Sequence, residues 1–207
     1  MTRFPLLLAG AVLLAADAPT VTYTKSFPGS IPAYVRIQLD QTGQGEYREA
    51  ADDDAPLKFQ LQESETAEIF ALVEKLERFR RPLESGLKVA NMGKKTFRYE
   101  GGAEKNETTF NYTESADGRA LHDWFEKITE SELNLINLQR VIRFDRLGLN
   151  QAMLQLQSAW ERKRLAAPAQ FLPVLDRVAK NESFMHMTRE RAAALADAIR
   201  SAKPKAE

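Results

Sequence analysis

The sequence predicts an α+β protein: an antiparallel sheet of about five strands with helices on one face, followed by a C-terminal helical segment of about four helices. Three observations lead to this prediction. Several segments between residues 33 and 113 alternate apolar and polar side chains with a period of two, as half-buried strands do. Two other segments in the same part of the chain repeat apolar residues at helical spacing. Beyond residue 133 only the helical spacing remains.

The strands are predicted from the alternation itself. The pattern is clearest in four segments, at residues 34–40, 57–62, 96–100 and 109–113. Turn-forming residues at 41–45 and 100–106 each indicate a hairpin. Alternation of this kind is typical of a sheet that packs on one face and is exposed to water on the other. A doubly wound nucleotide-binding sheet would have continuously apolar strands, so that fold is not expected.

Two helices are predicted in the first part of the chain. Ser64 is a candidate cap for the first, which carries apolar residues every three or four positions and stops before Pro82. The second begins near Asp117, and a further apolar stripe runs from Leu135 to Phe144. Two related β-β-α units in succession are one interpretation of this order, and a non-repetitive arrangement is the other. Either way, helices on the apolar face of an antiparallel sheet account for both patterns.

Residues 1–16, MTRFPLLLAGAVLLAA, are predicted to be a signal peptide for export. One positive residue precedes an apolar run of 11 residues, which is too short for a bilayer span of about 20 residues but suits the core of a secretory signal. Cleavage after Ala16 is favoured over Ala18, because Pro19 would follow the second cut and obstruct the peptidase. The alternative interpretation is a buried N-terminal helix. We therefore expect the protein in the periplasm or outside the cell.

The remaining chain divides into an α+β domain, residues 17–138, and a C-terminal helical region, residues 139–207, packed on it. Lys+Arg and Asp+Glu balance at 29 each over the whole chain, but the first part has a net charge of −7 and the second +6. This division suggests that the helical region docks on the acidic domain. Compositional drift of exposed helices is an alternative. A basic surface for nucleic acid is a third interpretation, but no recognised motif accompanies it, so no nucleic-acid partner is expected.

The composition argues against several kinds of functional site. Without cysteine, the chain has no disulfides, cysteine-bound metal or thiol nucleophile. Its two histidines lack metal-ligand spacing, so no metal or cofactor is expected; His122 is interpreted as a helix-surface residue and His186 as partly buried. No serine has the context of a nucleophile elbow. Paired carboxylates stay open as catalytic groups, because such pairs meet in space rather than in sequence.

The segment 91–98 contains the one candidate binding site. A phosphate-binding loop would need glycine at the position of Lys88, so a nucleotide is not expected. A tight turn before Lys94 would instead deliver Lys94, Lys95 and Arg98 to the water-exposed face of the sheet, as a basic patch for an anionic ligand or partner. The alternative is a solubilising strand edge on which lysines block the addition of another strand.

Together these features favour an exported protein of the cell envelope or exterior that is not an enzyme and that binds another macromolecule, with a protein as the expected partner. Two alternatives stay open. One is a hydrolase that uses carboxylate or serine groups, and the other is an envelope scaffold. No catalytic residue is assigned, and no membrane segment is expected after removal of the signal.

Overall fold

The computed structural model describes residues 18–202 and confirms the α+β fold class. The predicted signal peptide lies outside the described residues. One antiparallel sheet contains all six strands of the described part of the chain: β1 (Thr20–Ser26), β2 (Tyr34–Asp40), β3 (Gln44–Arg48), β4 (Leu57–Gln60), β5 (Lys94–Gly101) and β6 (Glu104–Phe110). Their order across the sheet is β4-β3-β2-β1-β5-β6.

β1 is a strand that the alternation did not identify, and it lies near the centre of the sheet. It pairs with β2 along one edge and with β5 along the other, so that Tyr23 is opposite both Ile37 and Phe97. Three of its polar positions are threonines, which have high β propensity because the branched side chain packs well on a pleated surface. β1 thus joins the hairpin meander β2–β4 to the β5–β6 hairpin.

The described residues form five helices: α1 (Glu63–Lys75), α2 (Ala116–Phe144), α3 (Leu149–Glu161), α4 (Leu172–Lys180) and α5 (His186–Ser201). α1 starts one residue before the predicted cap, because Gln62 is its N-cap and Glu65 accepts a hydrogen bond from the Gln62 N–H. It ends at Lys75, and a 3-10 turn, Glu77–Phe79, completes the segment before Pro82.

α2 is a single helix of 29 residues that includes both of the apolar stripes predicted near 117 and 135–144. The hydroxyl of Ser115 caps it by accepting a hydrogen bond from the Gly118 N–H at 3.1 Å. It ends at Phe144, and the carboxylate of Asp145, its C-cap, accepts the Gly148 N–H and so starts the turn into α3. The suggested domain boundary at residue 138 lies within this helix.

The buried apolar residues form two clusters that α2 connects. The first lies between one face of the sheet, α1 and the N-terminal half of α2, and its centre is aromatic: Tyr23 stacks on Phe125 at 4.9 Å, and Phe79 on Phe97 at 5.3 Å. The second begins at Leu138 and fills the space among α3, α4 and α5. The two β-β-α units suggested by the sequence differ in their number of strands, because four strands precede α1 and two precede α2.

Among residues 18–202, no helix is both long enough and apolar enough to cross a membrane.

Candidate functional site

One face of the sheet packs on the helices, and the other is the face we call the open face. It consists of the strand residues that alternate with the core positions, and cross-strand pairing sets them in rows such as Arg36, Thr24 and Thr96. Ten of its residues are charged: Arg36, Arg48, Lys58, Lys94, Arg98, Lys105, Asp40, Glu46, Glu100 and Glu107. The open face therefore has a small basic excess, although it belongs to the acidic part of the chain.

Most of the carboxylates on the open face already form ion pairs or hydrogen bonds within the protein. Glu46 accepts a hydrogen bond from Arg48 at 2.9 Å, and Glu100 pairs with both Arg98 and Lys105. A third carboxylate, Asp40, accepts three hydrogen bonds from residues of the turn that follows β2, and the fourth, Glu107, is opposite Arg98 on β5. The basic excess of the face is thus not cancelled by its own carboxylates.

Three basic residues of the open face keep their charge available. Arg36, Lys58 and Lys94 form no ion pair within residues 18–202. Arg36 donates only to the neighbouring Gln38. Because these three residues lie on β2, β4 and β5, the available charge is spread across the sheet.

The structure brings together two of the three residues in the predicted basic patch. Lys94 and Arg98 lie on the open face, with Thr96 between them. Lys95 instead shares the helix-covered face with Phe97 and Tyr99, so its expected position on the water-exposed face is wrong. The reason is the two-residue period of a strand, which sends neighbouring side chains to opposite faces. The Lys95 ammonium donates to the carbonyls of Met92, Gly93 and Asn111, which satisfies it inside the protein.

The open face also contains a shallow depression. Its volume is about 540 Å³, and its lining is mostly polar side chains of the sheet such as Gln38, Glu46 and Lys58, together with Phe59 and Gln170. A polar, shallow surface of this kind fits the surface of another macromolecule better than a small molecule, because small-molecule sites are mostly apolar and enclose their ligand.

A group of ionisable residues lies at the end of the first core, between β1 and α2, and we call it the ionic cluster: Tyr23, Lys25, Lys95, His122 and Glu126. Glu126 is its centre. The Lys25 ammonium donates to both carboxylate oxygens of Glu126, at 2.8 and 2.7 Å, and the Tyr23 hydroxyl donates to one of them at 2.9 Å. The side chains of Lys25 and Glu126 are only 17% and 30% exposed, so this pair is partly shielded from water.

The electrostatics of the ionic cluster follow from burial and from that arrangement. Burial alone would raise the pKa of Glu126, but the hydrogen bonds from Lys25 and Tyr23 outweigh it and keep the pKa below its ordinary value. Burial raises the pKa of Tyr23 and lowers those of Lys95 and His122. The cluster is thus a negative carboxylate held by a cation and a phenol, with a neutral imidazole beside it.

His122 is more enclosed than the sequence indicated. Its ring makes edge contacts with Tyr23 and Phe110, and its Nε2 atom is 3.6 Å from the carboxylate of Glu126, too far for a hydrogen bond. Within the described residues, Nε2 is a buried atom without a hydrogen-bond partner. His122 is therefore a partly buried residue, with 27% of its side chain exposed, and the interpretation as a helix-surface residue holds only in part.

His186 is exposed rather than partly buried. It begins α5, and its Nε2 atom lies 3.0 Å from Glu190 one turn later. Among residues 18–202 no group of three or more histidine and acidic side chains has the arrangement of a metal site.

A cleft of about 770 Å³ extends from the ionic cluster along α2 towards α3. Lys25 and Glu126 border it at one end, and Asn134, Asn137 and Gln155 line its helical wall. The amide side chains are mostly satisfied locally: Asn134 donates to the backbone of its own helix, and Asn137 accepts from Arg140. The cleft is open to solvent and has mixed polarity.

Comparison with known proteins gives no functional assignment. Neither the models of protein families nor the curated protein sequences contain a match to this chain.

Proposed function

We propose that the protein is an exported, non-catalytic binding protein that holds an acidic surface of a partner protein against its open face. The observation that carries this proposal is the available charge of Arg36, Lys58 and Lys94, on a face whose carboxylates are largely occupied. Opposite charge on a partner would steer the encounter and fix its orientation.

The dimensions of the open face favour a weak, reversible interaction. Six strands about 4.8 Å apart, each about 20 Å long, give an area of about 500 Å². A stable complex of standard size buries about 800 Å² on each partner, so the face alone is smaller than that. We therefore expect affinity that depends on charge and falls as ionic strength rises, because salt screens exposed ion pairs.

The location rests on the N-terminal sequence. The apolar run that ends at Ala16 has the length of a signal core, and the first strand starts at Thr20. Cleavage after Ala16 would therefore leave every strand of the sheet intact.

Site-specific photocrosslinking in the native host tests the proposed surface. A photoreactive residue at Thr96, between Lys94 and Arg98 on the open face of β5, is expected to form a reproducible adduct with one acidic protein. The adduct should decrease about tenfold in the variant Arg36→Gln with Lys94→Gln, because two exposed ion pairs of up to about 1 kcal/mol each would be lost.

Two controls make the result specific. The variant Arg177→Gln with Lys180→Gln changes the net charge equally but on α4, away from the sheet, and it should retain the adduct. A photoreactive residue at Gln151, on the exposed side of α3, should not form it. An adduct that is equally strong from Gln151, or that is unaffected by Arg36→Gln with Lys94→Gln, would contradict the proposal, as would a nucleic acid in place of a protein.

Export is tested on the same recovered protein. We expect cell fractionation to place it outside the cytoplasm and N-terminal sequencing to start at Asp17. A cytoplasmic protein that retains its first 16 residues would show that the apolar run is not a cleaved signal.

A further inference from the structure

The segment 165–170, between α3 and α4, attaches the helical region to the sheet and its helices. Ala166 and Ala167 are 1% exposed and belong to the first core cluster, although they follow α3 in sequence. Two backbone N–H groups hold the segment in place: Ala166 donates to the Ser131 hydroxyl on α2 at 2.8 Å, and Ala167 donates to Glu65 on α1 at 3.2 Å. A third attachment is a side-chain pair, Gln170 with Glu132.

Glu132 is buried and Gln170 is partly buried, and without a proton on Glu132 the pair is incompletely hydrogen-bonded. Glu132 on α2 is 1% exposed, and its Oε1 atom accepts a hydrogen bond from the Gln170 amide nitrogen at 2.9 Å. The other oxygen of each group, Oε2 of Glu132 and Oε1 of Gln170, is buried without a partner in the described residues. Two neighbouring planar groups thus each leave one acceptor unused.

One proton on Glu132 would satisfy both of these oxygens. A carboxylic acid and a primary amide can form two parallel hydrogen bonds, in which the amide N–H donates to one carboxyl oxygen and the acid O–H donates to the amide oxygen. A bare carboxylate at the same place would be buried with one neutral partner and no cation, which is a costly arrangement. Glu132 forms no ion pair within residues 18–202.

We propose that Glu132 and Gln170 form a proton-binding site, in which protonated Glu132 donates from Oε2 to Oε1 of Gln170 and so fixes the segment 165–170 to α2. Loss of the proton places a negative charge beside the amide oxygen and removes one of the two hydrogen bonds. The attachment of the helical region to the first core is therefore sensitive to pH. This inference does not depend on the proposed binding function.

The groups around the pair do not supply a compensating charge. Tyr47 on β3 faces it, with its hydroxyl donating to Glu49, and Glu65 on α1 lies across the segment at Ala167. Burial raises the pKa of Glu132 to about 7, although the hydrogen bond from Gln170 opposes this change. Burial also raises the pKa of Tyr47, and the negative charges of Glu49 and Glu132 act in the same direction.

The sign of the pH dependence follows from those values. Below about pH 4.5, the ordinary pKa, Glu132 is protonated in both the folded and the unfolded chain and has no effect. As the pH rises from about 4.5 to about 7, the unfolded chain releases the proton while the folded chain keeps it, so folding becomes less favourable. Above about pH 7 the loss is complete, and the folding equilibrium constant has decreased by a factor of up to about 300.

The substitution Glu132→Gln tests this, because the amide has the shape of the protonated acid and retains a donor for Gln170 but does not titrate. Urea titrations give an unfolding equilibrium constant for the wild type and one for Glu132→Gln. We expect the ratio of the first to the second to increase about 100-fold or more between pH 4.5 and pH 8. Glu68→Gln, on the exposed side of α1, is the matched control and should follow the wild type at every pH.

A second measurement is made on the wild-type protein, so it gives a result even if no variant folds. Carbon-13 NMR of the side-chain carboxyl groups in the wild-type protein should show one glutamate that titrates near pH 7 and is absent from Glu132→Gln if that variant folds. The proposal is overturned if every glutamate carboxyl titrates near or below its ordinary pKa. It is also overturned if the wild type and Glu132→Gln have the same pH dependence of unfolding.

Discussion

Glu126 is the residue on which the ionic cluster depends. It is the common acceptor for the Lys25 ammonium and the Tyr23 hydroxyl, and both donors come from β1 while Glu126 belongs to α2. The cluster therefore joins the central strand to the longest helix at the end of the first core. A pair that is partly shielded from water retains more of its interaction energy than an exposed one.

Removal of the carboxylate charge should destabilise the protein at neutral pH. We expect Glu126→Gln to decrease the free energy of unfolding at pH 7 by about 1–2 kcal/mol, because Lys25 would remain half-buried without its counter-ion. The pKa of Glu126 is below its ordinary value of 4.5, so this contribution is present above about pH 4.5 and is lost as the pH falls through the folded pKa. Urea unfolding at pH 7 and pH 3 checks both statements.

A double-mutant cycle assigns the effect to the pair. Lys25→Met alone and Glu126→Gln alone should each destabilise the protein, and the double variant should cost less than their sum, because neither partner is then left unpaired. Strict additivity would show that Lys25 and Glu126 do not interact. An equal effect of Glu126→Gln at pH 3 and pH 7 would contradict the electrostatic origin.

At the residue scale, the periodicity of the strands and helices predicts more of the buried ionisable residues than the pattern of charges alone does. The alternation that placed Phe97 and Tyr99 in the core also places Lys95 there, and Lys25 has the same relation to Tyr23 on β1. Glu132 continues the apolar stripe of Leu121, Phe125 and Ile128 along α2. A charged residue at a core position of a strand or helix thus predicts a buried ionisable group. The sequence does not predict the partner of that group, because the two can be far apart in the chain, as Glu126 is 101 residues from Lys25.

At the element scale, α2 shows why the helices were harder to delimit than the strands. Its N-terminal half packs on the sheet, and its C-terminal half packs among α3, α4 and α5. Each half has its own apolar stripe, and the change between them resembles a break between two helices in the sequence. No proline or glycine interrupts residues 119–144, which is consistent with one continuous helix.

The strands illustrate the opposite case, because local alternation identified four of the six by residue, β2, β4, β5 and β6. β1 was missed since only two of its residues, Val21 and Tyr23, are apolar. Its place in the sheet depends on pairing with β5, which is about 70 residues later in the chain. Contacts at such separation leave no periodic trace in a single sequence, so the strand order β4-β3-β2-β1-β5-β6 had to come from the structure.

At the scale of the whole molecule, the two apolar clusters are not independent. α2 contributes to both, and the segment 165–170 returns from the second to cover the first. Basic residues at the end of α3 reinforce the contact, with Arg164 pairing with Asp123 at 2.7 Å and with Glu130 at 3.0 Å. Exposed pairs contribute about 0–1 kcal/mol each, so apolar burial contributes more to the contact than charge does.

This dependence predicts the behaviour of a chain that ends after Phe144. Such a chain keeps every strand, α1 and α2, but it loses the residues that cover Leu138 and Val141, which are 1% and 5% exposed in the full structure. It also loses Ala166 and Ala167, and so opens the first core beside Glu132. We expect the shortened chain to self-associate in sedimentation experiments, because a contiguous apolar patch on a monomer favours association.

The patch itself can be tested by making it polar. In the shortened chain, Leu138→Gln with Val141→Gln should restore a monomer, whereas in the full chain the same pair should cost several kcal/mol, because both side chains are then in the second core. Opposite effects of one pair of substitutions would show that the C-terminal helices serve to cover α2. A shortened chain that is monomeric and unfolds at the same urea concentration as the full protein would instead show that residues 18–144 fold independently, and the helical region would then be an appended unit rather than part of one cooperative structure.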